Sequence, residues 1–114
     1  MARRRTDTTW SRHQAKELLA RLIAFDTTSH KTNRPLVAFV EEHLRSHGVA
    51  SRLVPTADGE KASLFATIGP EDVPGVGLSG HTDVVPVAGQ SWDTDPFTMV
   101  EKDGRLYGRG TCDM

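Results

Sequence analysis

The spacing of apolar residues changes character at Gly48, and that change limits the chain to folds in which helices pack on strands. Before it, Ala15, Leu18, Leu19, Leu22 and Ile23 recur on one helical face and predict a helix over residues 12–25. Ser11 followed by Gln14 forms a capping-box pattern, and Asp26-Thr27-Thr28-Ser29 ends the helix by competing for backbone hydrogen bonds. A second helix follows, with Asn33 as its expected cap, Pro35 in its first turn and Leu36, Val37, Val40 and Leu44 as its apolar stripe. Gly48 occupies the left-handed position that closes it.

Beyond Gly48 the apolar runs shorten to 49–54, 62–68 and 76–79, with Asp58-Gly59 as a turn between the first two. The third run is brief, apolar and bounded by glycines, the pattern of a strand covered on both faces. Residues 97–102 and 105–107 flank Asp103-Gly104, a two-residue spacing that favours a tight hairpin. Helices followed by strands predict an α/β layer architecture.

Composition narrows the function classes. Hydrophobic residues make up 37% and charged residues 25% of the 114, which suits a soluble globular domain. A formal net charge of −1 removes the electrostatic reason to expect nucleic acid or an anionic membrane as a partner. Arg3-Arg4-Arg5 is followed by no apolar stretch of signal-peptide length, so residues 1–10 are expected to form a flexible N-terminal tail. No run approaches the roughly 20 apolar residues that span a bilayer. The single cysteine, Cys112, excludes an internal disulfide and reads as cytoplasmic. Because the sequence stops directly after a glycine-rich turn, we expect residues 11–114 to be part of a longer polypeptide.

The densest chemical feature is Gly80-His81-Thr82-Asp83, placed immediately after the expected buried strand. Open α/β sheets bind ligands beyond the carboxyl ends of their strands. On an extended backbone, residues two apart face one side, so Asp83 can accept a hydrogen bond from one ring nitrogen of His81 and leave the other free for a metal. The same pattern also fits a structural histidine with a local carboxylate partner. In the second feature, residues 107–113, glycines on both sides of Arg109 permit a tight turn that feeds Asp113 into a cleft. A carboxylate there can be shared between two cations, or can cap a helix.

Four segments in order carry a resemblance: 77–86, then Trp92-Asp93-Thr94-Asp95-Pro96-Phe97, then 103–107, then Gly108-Arg109-Gly110-Thr111-Cys112-Asp113-Met114. They resemble consecutive signatures of the aminoacylase-type metallohydrolases that include acetylornithine deacetylase and succinyl-diaminopimelate desuccinylase. Phe25-Asp26-Thr27-Thr28-Ser29 also resembles the family's sequence after its first helix. The resemblance implies a zinc-exopeptidase-like catalytic domain with a mixed, mostly parallel sheet flanked by helices. This chain would be the domain's N-terminal part, and the remainder and a dimerisation and lid domain would lie outside it.

It further implies that His81 binds one metal, that Asp113 bridges two, and that Asp83 is the active-site residue orienting His81. The metals would be Zn2+, two per active site, with Co2+ as a substitute. The implied substrate is a small-molecule N-acyl amino acid and the implied assembly a homodimer, with the general base and the other ligands outside this chain. The Gly-Arg-Gly-Thr-Cys-Asp-Met run resembles acetylornithine deacetylases more than desuccinylases, which points to release of acetate and ornithine from N-acetylornithine in arginine synthesis. Desuccinylase, aminoacylase and dipeptidase remain alternatives, as does a short non-catalytic relative that binds a partner through an exposed sheet edge. Such a chain alone is expected to be inactive.

The remaining candidates have plainer expectations. Cys112 is expected to pack beneath the turn, since no base accompanies it. His13, His43 and His47 are expected in solvated or capping roles, His30 has no acidic neighbour at ligand spacing, and Trp92 and Phe97 should wedge the long loop in place.

Overall fold

The computed structural model describes residues 12–114, so the tail expected over 1–10 and the expected cap at Ser11 lie outside the described residues. Helix α1 spans Arg12–Ile23 and α2 spans Arg34–Ser46. Four strands follow: β1 (Ser51–Pro55), β2 (Ala62–Ala66), β3 (Val100–Lys102) and β4 (Arg105–Tyr107). No helix among the described residues is long and apolar enough to cross a membrane.

Helix α1 stops two residues before the expected end. Phe25 N–H turns back to the Leu22 carbonyl at 3.2 Å, tightening the last turn, and the Asp26 side chain then accepts from Thr28 N–H at 3.2 Å. Helix α2 closes as its glycine requires. Gly48 has φ 74°, its N–H donates to Arg45 O at 2.9 Å, and Val49 N–H donates to Leu44 O at 3.0 Å, which is the Schellman arrangement.

The other end of α2 corrects the sequence reading. Asn33 makes no capping hydrogen bond, and the Thr32 hydroxyl instead accepts from Arg34 N–H at 3.1 Å. Asn33 is buried and spent elsewhere: its Oδ1 accepts from Ala62 N–H and its Nδ2 donates to Ala62 O, both at 2.9 Å. Nδ2 also reaches Thr82 Oγ1 at 3.0 Å. The amide thereby ties α2, β2 and the segment bearing His81 together.

Strands β1 and β2 pair antiparallel from Ser51↔Ala66 to Pro55↔Ala62, with Gly59 at φ 73° in the connecting turn. Strands β3 and β4 pair through Lys102↔Arg105, and both turn residues have positive φ, Asp103 at 53° and Gly104 at 72°, as a two-residue type I′ hairpin demands. The expected α/β composition is present, and the mostly parallel sheet expected of the larger domain is not seen among the described residues. Among the described residues the sheets are two antiparallel pairs, and the parallel element is one bridge, Thr28↔Val84.

The expected buried strand at 76–79 is likewise absent, with Val76 90% and Leu78 95% exposed. Apolar composition favours burial, but a strand also needs a partner for its backbone. Both hairpins keep unpaired outer edges, but 76–79 is hydrogen-bonded to neither, so among the described residues it has no strand partner.

The core is small. Leu36 and Val37 of α2 are buried on the side facing the β1–β2 hairpin, together with Ala62, while Ile23 and Val84 form the part beneath the site. Phe25, just past α1, and Phe39 of α2 stand with ring centroids 5.7 Å apart, and Lys16 Nζ of α1 meets Glu101 Oε1 of β3 at 2.5 Å on the surface. With so thin a core, Asn33 carries unusual weight. Asn33→Ala strands the buried backbone N–H of Ala62, so urea unfolding should show roughly 1–3 kcal/mol lost. A midpoint unchanged from the parent would refute the strut.

Candidate metal centre

The segment carrying His81 is positioned by the loop that ends α1. Val84 N–H donates to Thr27 O at 3.1 Å, Ser29 N–H donates to Val84 O at 3.0 Å, and the Thr27 hydroxyl donates to Thr82 O at 2.5 Å. Thr27, Thr28 and Val84 are buried, so these bonds are shielded from water. Asp26 stabilises the loop from within, accepting from the Thr28 hydroxyl at 2.5 Å and pairing with Lys31.

The imidazole of His81 is held from two sides. Its Nδ1 lies 3.0 Å from the Asp83 carbonyl oxygen and 3.2 Å from Asp83 Oδ1, and its Nε2 lies 3.0 Å from Asp113 Oδ1. The Asp83 carbonyl, followed by the Asp113 carboxylate, raises the His81 pKa above its ordinary value. Asp83 is held below the usual carboxylate range, first by the Ser29 hydroxyl. Nδ1 faces two acceptors and Nε2 faces one, so when a cation takes the place of the proton at Nε2 the ring keeps its remaining proton on Nδ1.

Asp113 reaches this point through the glycine turn after β4. Arg109 N–H donates to Pro96 O at 2.7 Å, and the Thr111 hydroxyl donates to Gly108 O at 2.9 Å. A Cβ on Gly108 would stand 3.1 Å from Ile23 Cγ2, and one on Gly110, whose φ is 97°, would stand 3.3 Å from Ile23 Cδ1. The turn therefore needs glycine for its closeness to the end of α1 as well as for its backbone angle. The Arg109 guanidinium lies 5.2 Å from the Trp92 ring centroid and donates to Gln90 Oε1, bracing the turn against the long loop.

His81, Asp83 and Asp113 line a cleft of about 260 Å³. Zinc bonds of about 2.0–2.1 Å in tetrahedral geometry set two donors about 3.3 Å apart. The 3.0 Å between Nε2 and Oδ1 is close to that spacing, and a nitrogen with a carboxylate oxygen suits zinc or cobalt. The pair alone does not close a site: among the described residues no group of three or more His, Cys, Asp or Glu is arranged to hold an ion. Asp83 turns one oxygen to His81 and the other to Ser29, an orienting position.

Cys112 corrects its expectation, being exposed rather than packed beneath the turn. His47 caps α2, with Nδ1 2.9 Å from His43 O, and His13 pairs with Glu17 at 3.2 Å. Trp92 and Phe97 are half-buried. Sequence reasoning missed Ser29, Asn33 and Gln90 as supports of the site. The signal for Ser29 was present in the 25–29 match, where the residues were credited only with ending a helix.

Residues 77–114 match the family described as Peptidase family M20/M25/M40. Acetylornithine deacetylase of Pasteurella multocida (strain Pm70) is 38% identical over 86% of this chain and 27% of the relative. Succinyl-diaminopimelate desuccinylase of Zymomonas mobilis is 40% identical over 86% of this chain and 26% of the relative. The chain thus spans about a quarter of the length of these curated relatives. The crystal structure of human carnosine dipeptidase 1 superposes with a TM-score of 0.70 at 28% identity, covering 89% of this chain and 25% of that one.

The loop holding His81 has its own pH signature. Lys31 and Thr28 lower the Asp26 pKa from 3.8 to about 2. The folded state thus binds this proton less readily than the unfolded chain. The stabilisation is complete above about pH 4 and drains away as pH falls toward 2. Melting temperatures across that window should fall more steeply for the parent than for Asp26→Asn; parallel curves would contradict the assignment.

Proposed function

The chain belongs to the M20/M25/M40 peptidase family, and from that premise we propose that it contributes His81 and Asp113 to the two-metal centre of an amide hydrolase acting on N-acetylornithine. The observation that carries the reading is the 3.0 Å approach of His81 Nε2 to Asp113 Oδ1 across 32 residues of sequence, at the mouth of one cleft. Support for the substrate comes from the deacetylase relatives.

Such a centre, when loaded with zinc or cobalt, supplies Lewis acidity toward an amide carbonyl and toward water. The chain's own residues prepare it. Asp83 accepts from His81 Nδ1–H, which fixes the ring's plane and leaves Nε2 as the atom that would meet a cation. Asp113 brings a carboxylate with two oxygens, one facing His81 and one available to a second cation. The glycine turn sets its reach, and the Arg109–Trp92 contact resists its withdrawal. The cleft is open to solvent, which suits a small N-acyl amino acid entering from outside. A desuccinylase acting on N-succinyl-diaminopimelate is the second reading, favoured by the Zymomonas mobilis relative.

Comparing kcat/KM on N-acetylornithine, N-succinyl-diaminopimelate and a dipeptide tests the substrate, with the first expected to lead. A higher value for either of the others would reassign it. Asp83→Asn should weaken zinc binding about 10–100-fold, the usual cost of losing a partner that orients a ligand histidine, and His81→Ala and Asp113→Ala should cost more. Full zinc content and activity in His81→Ala would remove the centre from this cleft.

A further inference from the structure

Ser29 belongs to the 25–29 segment that the sequence marks only as a helix end and a family match, yet its side chain touches the site. Its hydroxyl donates to Asp83 Oδ2 at 2.8 Å, while Asp83 Oδ1 lies 3.2 Å from His81 Nδ1. A partner on each oxygen fixes the carboxylate plane, which a single partner would leave free to rotate. The hydroxyl's own position is fixed by backbone: Ser29 N–H donates to Val84 O at 3.0 Å, and the neighbouring Thr28 forms the bridge to Val84. The donor thus sits on the same rigid joint that carries its acceptor.

We propose that Ser29 is a positioning residue of the metal centre, clamping the Asp83 carboxylate so that His81 keeps its proton on Nδ1 and presents Nε2 toward Asp113. Which ring nitrogen carries the proton is decided by the bond the other atom makes, and a carboxylate that swings away surrenders part of that control. The Asp83 carbonyl at 3.0 Å from Nδ1 remains without Ser29, so the effect is a partial loss of preference rather than its reversal. The inference rests on reading His81 as a metal donor.

The test uses three variants of the protein: Ser29→Ala, Ser29→Thr, which keeps the hydroxyl, and Ser29→Val, which has nearly the shape of threonine without it. Nitrogen NMR of the His81 ring, recorded without metal in an Asp113→Ala background so that no carboxylate competes at Nε2, and at a pH where the ring is neutral, reports the tautomer. Calorimetric titration with zinc reports affinity.

The parent and Ser29→Thr should favour the Nδ1–H form. Ser29→Ala and Ser29→Val should lose part of that preference and bind zinc about tenfold more weakly, at the low end of the cost for outer partners. Melting temperatures should stay close together, because the backbone bond to Val84 survives each change. If Ser29→Ala misfolds, the threonine and valine pair carries the comparison. Parental tautomer and affinity in Ser29→Val would overturn the proposal, as would equal losses in the threonine and valine variants. A tautomer shift in a protein that hydrolyses no acylated amino acid would sink the hydrolase reading and leave the role of Ser29 standing.

Discussion

The arrangement depends on one short parallel contact, the bridge between Thr28 and Val84. No described strand supports the segment that carries His81, so its position is set by the bonds that residues 27–29 make with residues 82–84. The contact works because it is buried and fully paired: a backbone hydrogen bond adds little net stability in water, but breaking one in a dry joint leaves an unsatisfied group. Ile23 packs below it against Gly108 and Gly110, so the joint that fixes the histidine also sets the height of the turn bearing the aspartate. Two segments far apart in sequence are thereby brought together by a third.

Electrostatics plays a different part from packing here. His81 is half-exposed and the Asp113 side chain is 88% exposed, so solvent screens their attraction and the pair adds little to the fold. Its importance is geometric. His81 Nε2 and Asp113 Oδ1, which hydrogen-bond when the ring carries a proton on Nε2, stand near the separation that two ligands of one ion require, so a cation replacing that proton calls for little motion. Asp83, better enclosed by partners, holds the ring at its other end and leaves Nε2 as the atom whose occupant can change.

Local rules were legible where local chemistry decides the outcome. Gly48 ends α2 and Asp103-Gly104 turns β3 into β4, since a positive φ is needed and few residues accept it. His81, Asp83 and Asp113 were legible as a group because their motifs are dense, and the structure brings them to one cleft. Asn33 was misread because a capping asparagine and a cross-linking one look alike in sequence, and only the nearness of Ala62 decides between them. The run 76–79 was misread for a related reason: hydrophobicity states what a segment avoids, and pairing depends on what stands next to it. Ser29 and Gln90 act across 54 and 19 residues respectively, distances at which no periodicity carries information.

The bracing of Arg109 has a spectroscopic side. Trp92 is the one indole among the described residues, and a guanidinium from the turn that ends in Asp113 sits 5.2 Å from its centroid. Indole emission follows the local electric field, and here one charge contributing to that field is joined to the aspartate through residues 110–112. A shift of the turn itself moves that charge relative to the chromophore. Emission from Trp92, resolved from that of Trp10, therefore reports on the turn that leads to the cleft.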